Sequence, residues 1–161
     1  MIRIDHPEVV ALSKSGLTRF FNRARAAVGL DGDVEVLLAD DATLRRLNRS
    51  FRHKNKATDV LSFPAAESPE GYAGGYAGDL AISLDTAARQ AAEFGHSLRD
   101  EVRILLLHGL LHLTGMDHES DSGEMAAREG ELRRELRLPT TLIERAASVS
   151  AKDGAKRRRT A

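Results

Sequence analysis

Ser97-Leu98-Arg99-Asp100-Glu101-Val102-Arg103-Ile104-Leu105-Leu106-Leu107-His108-Gly109-Leu110-Leu111-His112-Leu113-Thr114-Gly115-Met116-Asp117-His118 contains the longest helix that the sequence predicts, Leu98 to Thr114. Ser97, followed three residues later by Asp100, is a capping signature. Ile104 to Leu107, Leu110, Leu111 and Leu113 make the helix apolar nearly all round, and such a helix is buried. It is too short to span a bilayer, and two histidines interrupt it. Gly115 stands where a helix C-terminus takes left-handed backbone, so the chain reverses there.

Working outward, Asp85 is expected to cap an alanine-rich helix ending at Gly95. Upstream, Asp79-Leu80-Ala81-Ile82-Ser83-Leu84 and Asp59-Val60-Leu61-Ser62-Phe63 alternate as strands do, Pro64 ends the latter, and the two are expected to pair as a hairpin. Between them, residues 64–78 carry a tandem Gly-Tyr-Ala-Gly at 71–74 and 75–78, read as a flexible connector. Val34 to Ala39 reads as a strand. Asp40-Asp41 can cap a short helix with Leu44, Leu47 and Phe51 on its inner face. Leu17, Phe20, Phe21, Ala24 and Val28 repeat at helical spacing and Gly29 supplies a stop. Ile2 to Asp5, with part of Val9 to Leu12, is a short first strand. Downstream, Asp121 with Glu124 opens an amphipathic helix through Met125, Leu132 and Leu136, and Pro139 lies just beyond it. Past Pro139 at most one weak turn is expected, and Lys156-Arg157-Arg158-Arg159 reads as a solvated tail. This order predicts an α+β fold in a single domain, a small mixed sheet of about four strands packed with about five helices. Residues 1–140 form the domain and 141–161 a partly disordered extension.

The chain has 161 residues, 42% of them apolar and 30% charged, the balance of a globular protein. It has no cysteine, which excludes disulfides, thiolate metal sites and cysteine nucleophiles. The N-terminus lacks the apolar stretch of a signal peptide, so a cytoplasmic location and no membrane association are expected. With 24 basic and 24 acidic residues the formal net charge is zero, so any contact with nucleic acid must come from a local patch.

His108 and His112, four apart on a helix, project from one face one turn apart. Two imidazole nitrogens at that spacing can meet one ion at about 2.0–2.1 Å. The reversal at Gly115 can bring His118 to the same ion. Two polar rings on one face of a buried helix need a shared partner. Three imidazoles leave a fourth tetrahedral position open, as catalytic zinc sites do, and an ion there lowers the pKa of its water to about 7. The spacing matches the metzincin protease pattern H-E-x-x-H-x-x-G-x-x-H, except that Gly109 replaces the glutamate that serves as base. The cage of such a protease is present and its base is missing. Asp117 either orients an imidazole or accepts backbone hydrogen bonds in the turn.

From Arg45 to Lys56 the chain carries Arg45, Arg46, Arg49, Arg52, Lys54 and Lys56 and no acid, a patch suited to phosphates. Arg45, Arg46 and Arg49 read as a solvated face, and His53 as a surface residue. Arg52 follows Phe51, taken as the last apolar anchor of its helix. An anchored guanidinium suits bidentate phosphate contact and offsets charge building on phosphorus.

Two segments together resemble the YbeY family of rRNA maturation endoribonucleases. The first is Asn48-x-x-Phe51-Arg52-x-x-Asn55-x-x-Thr58-Asp59-Val60-Leu61-Ser62-Phe63-Pro64 and the second is the run 108–118, with Gly78-Asp79 between them. The likeness covers roughly residues 30–138. It implies an α+β fold, one zinc ion on His108, His112 and His118, and cleavage of single-stranded RNA in 16S rRNA 3′-end maturation and ribosome quality control. It places the family's functional arginine on Arg52. RNA and the small ribosomal subunit are the implied partners, and no nucleotide cofactor is expected. The chain departs from the family at Met116, where Tyr or His is more usual, and in its Gly-Tyr repeat and basic tail.

The catalytic residues expected are Arg52 and His108, acting on an RNA phosphate held at the ion. The sequence leaves open whether water or a ribose 2′-OH attacks. Two rival readings stand beside this one: a metalloprotease-like hydrolase with a base from elsewhere, and a non-catalytic ribosome assembly factor with a structural zinc.

Overall fold

A computed structural model describes residues 1–6, 12–65 and 75–149. The elements are β1 (Ile2–Ile4), α1 (Lys14–Val28), β2 (Asp33–Ala39), α2 (Asp41–Arg52), β3 (Val60–Pro64), β4 (Tyr76–Ser83), α3 (Leu84–Phe94), α4 (Leu98–Leu113) and α5 (Glu124–Leu136). A sixth helix, α6, spans 142–149. The sheet order is β1-β2-β4-β3. β1 and β4 run parallel to β2, and β3 pairs antiparallel with β4. The expected single-domain α+β fold with a mixed four-stranded sheet and a β3–β4 hairpin is what forms.

Alternation along the strands divides the core between two faces. Val34, Val36, Leu38, Leu80 and Ile82 point to one side, where α1 and α4 cover them with Leu17, Phe20, Leu106 and Leu110. Ala39, Leu61 and Ala81 point to the other, under Leu44 and Leu47 of α2. α4 is the central helix: it packs against β3, β4, α1, α3 and α5. Residues 104–111 are all buried, which is why its apolar surface has no polar side. Gly109 is where α4 presses on the sheet. A Cβ there would lie 2.8 Å from Cδ2 of Leu80, so only glycine permits this approach without a shift.

Side-chain oxygens of Ser13, Asp40, Ser83 and Ser97 cap α1, α2, α3 and α4 by accepting N–H bonds from Gly16, Thr43, Thr86 and Asp100. Asp85, expected to cap α3, lies instead in its first turn. Its carboxylate meets His6 Nε2 at 2.7 Å and accepts the Asp41 N–H at 2.9 Å. Asp121 accepts the Gly123 and Met125 N–H groups at 2.9 Å, while Gly123 occupies the cap position of α5.

Three expectations need correction. Phe51 is 66% exposed and does not anchor α2; the inner face turns through Leu44 and Asn48, whose Nδ2 donates to Lys56 O at 3.0 Å. β4 begins at Tyr76, earlier than alternation indicated, because pairing with β2 continues to Asp33. Beyond Pro139 the chain forms α6 rather than a weak turn, with Arg145 only 5% exposed. The first strand is Ile2–Ile4; residues 7–11, the 71–74 copy of the repeat and the basic run 156–159 lie outside the described residues.

Candidate metal centre

α4 delivers His108 and His112 to one end of a groove of about 750 Å³, and the turn after Gly115 returns His118 to it. Gly115 has φ +95°, the left-handed backbone that the reversal requires. The three rings offer nitrogen atoms that all lie within 4.8 Å of one another. Ring centroids are 4.7 Å apart for His108 and His112, and 5.3 and 5.7 Å for His118 to each of them. The predicted constellation is thus brought together.

Hydrogen bonding at the far side of two rings sets their tautomers. His108 Nδ1 lies 2.8 Å from Glu129 Oε2, and both groups are buried. Burial acts to raise the Glu129 carboxyl; the His108 hydrogen bond and charge, with bonds from Ile143 N–H and Thr141, outweigh it and leave its pKa below the usual value. Glu129 is therefore an ionised acceptor, and His108 Nδ1 is the donor. His112 Nδ1 lies 3.0 Å from the carbonyl of Met116, which can only accept. Burial, then the neighbouring His108, push His112 below the ordinary histidine pKa, favouring its neutral form. With Nδ1 as the donor on both rings, each ring in its neutral form presents an Nε2 lone pair, and the two Nε2 atoms lie 3.1 Å apart.

Two such nitrogens at that distance hold either a proton or a metal ion between them. Tetrahedral coordination at the usual zinc–nitrogen length separates ligand nitrogens by about 3.3 Å, close to the spacing observed. His118 Nδ1 is buried and without a partner among the described residues. An orphaned ring nitrogen, two Nε2 atoms at chelating distance and an all-imidazole donor set fit one divalent transition-metal ion, and three ligands leave a position for substrate or water.

The opposite wall of the groove carries Asn48, Arg52, Lys54, Lys56, Asp59 and Ser62. Arg52 donates through Nη2 to Ser62 O at 2.5 Å, and its guanidinium carbon lies 5.8 Å from the centroid of the Phe63 ring. It is held by β3, not by Phe51. Arg45, Arg46, Arg49 and His53 are exposed and do not line the groove. Asp117 accepts from Glu119 N–H and Ser120 Oγ at 3.1 Å, bonds that hold it below the usual carboxylate range and give it the turn role. A second cavity, about 600 Å³ on the α2 side of the sheet, has no histidine in its lining.

Glu129 was not singled out from the sequence. It stands on the buried stripe of α5 with Met125, Leu132 and Leu136, and a carboxylate on such a stripe demands a partner. That was the available signal.

The model of the family "Endoribonuclease YbeY" matches residues 2–137. The chain is 53% identical over 152 residues to an endoribonuclease YbeY of Koribacter versatilis, covering 94% of this chain and 95% of that one. It is 50% identical over 137 residues to that of Solibacter usitatus, covering 85% and 88%. The solution structure of a Thermotoga maritima protein superposes with a TM-score of 0.56 at 28% identity, covering 84% of this chain and 89% of that one. With the fold, the imidazole cage and these matches in agreement, the chain belongs to the endoribonuclease YbeY family, hydrolases that act on RNA.

Proposed function

We propose that the chain is a zinc-dependent, single-strand-specific endoribonuclease of the cytoplasm that matures the 3′ end of 16S rRNA on the small ribosomal subunit, with His108, His112 and His118 as metal ligands and Arg52 as the residue that engages the phosphate. The observation that carries this reading is the 3.1 Å approach of two Nε2 atoms across a groove from Arg52. The donor set supports zinc, since imidazoles suit it and, among the described residues, no carboxylate joins the three.

When bound, such an ion supplies positive charge beside phosphorus and a more acidic water. The chain's own residues do the rest. Glu129 and the Met116 carbonyl aim the His108 and His112 rings. Lys54 and Lys56 draw the RNA backbone toward the groove. Arg52, fixed by Ser62 O and lying near the Phe63 ring, turns its remaining donors to the scissile phosphate and offsets the charge that grows on it. Gly109 supports phosphodiester rather than peptide chemistry: where a zinc protease carries its glutamate, this helix packs on Leu80 and has no room for one.

The test is cleavage of matched single-stranded and duplex RNA by wild-type and Arg52→Ala protein. Cleavage confined to the single strand and lost in the variant, with zinc and ribosome binding retained, supports the reading. Equal cleavage by both proteins contradicts it. A 2′,3′-cyclic phosphate on the product identifies the ribose 2′-OH as nucleophile.

A further inference from the structure

α6 lies beyond the span matched by the family model, yet its first residues meet the carboxylate that holds His108. Glu129 Oε2 takes the His108 Nδ1 bond, and its other oxygen, Oε1, accepts the Ile143 N–H at 3.1 Å. Thr141 Oγ1 accepts the Glu144 N–H at 3.0 Å and so caps the turn that aims Ile143 N–H at Glu129. A carboxylate bonded through one oxygen can rotate about its terminal bond; bonded through both, it has a fixed plane.

α6 is itself fixed. Arg145 donates to both oxygens of the fully buried Glu101 at 2.7 and 2.8 Å, and its guanidinium lies 4.4 Å from the Phe94 ring centroid. Arg145 also donates to Gln90 Oε1 at 3.3 Å, and Gln90 Nε2 donates to Asp59 Oδ2 at 3.3 Å. Asp59 lines the groove opposite the histidines, as does Leu142 of α6 itself. The helix therefore reaches both walls of the site.

We propose that Thr141 and the first turn of α6 are positioning elements for the metal centre: they lock the plane of the Glu129 carboxylate and, through it, the direction in which His108 presents Nε2. Removing the lock leaves His108 free to pivot and weakens metal binding. The proposal rests on the metal reading of the three histidines.

The test is the zinc dissociation constant of the full chain, measured by competition with a chromophoric chelator, for wild type, Thr141→Val and Thr141→Ser, with folding followed by circular dichroism. Thr141→Val is expected to weaken zinc about 10-fold, the low end for residues that orient a ligand from outside, and Thr141→Ser to restore affinity to within about 2-fold. A capping role alone would lower the melting temperature of the metal-free protein without moving zinc affinity. Wild-type affinity in a folded Thr141→Val protein overturns the proposal and leaves the metal centre standing. Absence of zinc binding by wild type overturns both. If Thr141→Val does not fold, Arg145→Lys, which loses the fork on Glu101 and loosens α6, carries the test: weaker zinc binding supports the proposal and unchanged binding overturns it.

Discussion

His108 Nε2 and His112 Nε2 face each other across 3.1 Å while the Nδ1 of each ring is already engaged, one by Glu129 and one by the Met116 carbonyl. The fold brings these two nitrogens to chelating distance and places His118 beside them. Metal should therefore stabilise the folded chain: at a free concentration of 100 times the dissociation constant, the gain is about 2.7 kcal/mol. Differential scanning calorimetry with and without zinc checks this, and His112→Ala should abolish the metal-dependent rise in melting temperature.

Removing Glu129 should uncouple stability from metal binding in a specific way. Glu129→Ala leaves the His108 Nδ1 donor buried without its partner, at a cost of about 1–3 kcal/mol. It also releases the ring, and zinc affinity should fall about 10–100-fold. Glu129→Gln, which keeps an acceptor but not the charge, should fall between it and wild type. Denaturant titration and chelator competition measure the two effects separately.

Arg52 is exposed at the groove, so its removal should spare the fold. Arg52→Ala is expected to lower RNA cleavage by about 100-fold or more, the scale for losing a donor aimed at developing charge, with zinc affinity unchanged. Arg52→Lys should not restore the rate, because an ammonium cannot make the planar contact with both Ser62 O and a phosphate. Single-turnover cleavage of a labelled RNA distinguishes the three proteins.

Gly109→Ala should destabilise by about 1–3 kcal/mol, since its Cβ would meet the fully buried Leu80 side chain at 2.8 Å. Because α4 carries two ligands, the same shift should weaken zinc binding. Chemical denaturation and metal competition on one variant test both.

Asp41 joins α2 to α3. Burial acts to raise its pKa, but bonds from Ser83 Oγ and Thr86 Oγ1 at 2.6 Å and from Arg89 at 2.8 Å win, leaving it lowered. A carboxylate depressed in the folded state adds stability that is full above its unfolded pKa of 3.8 and is lost as pH falls through the folded value. Asp41→Asn should cost about 1–3 kcal/mol at neutral pH and show a shallower loss of stability below pH 3.8. Urea melts across that range supply the comparison.

The parts of the molecule legible in the sequence are those set by local pattern. α4 announces itself by its unbroken apolar surface, the ligands by their spacing on it, and Gly115 by its place at the reversal. Phe51 misleads because the stripe through Leu44 and Leu47 continues to it at helical spacing, whereas the inner face turns to Asn48 and leaves the ring at the surface. α6 was missed for a related reason. Thr141 with Glu144 three residues later is a capping signature, and Leu142, Ile143, Ala146 and Ala147 repeat at helical spacing, but the stripe is short and weakly apolar. Beyond that local cap, what holds it is tertiary: the buried Arg145–Glu101 pair, whose partners lie 44 residues apart. Glu129 lay in view on the α5 stripe, and the rule applied to the histidines would have found it.

Metal analysis of the purified protein, coupled to cleavage of single-stranded RNA before and after chelation, tests the imidazole cage most directly. The account predicts one divalent ion per chain, loss of cleavage with the chelator and recovery on adding zinc back. Full cleavage by metal-free His112→Ala protein would contradict it.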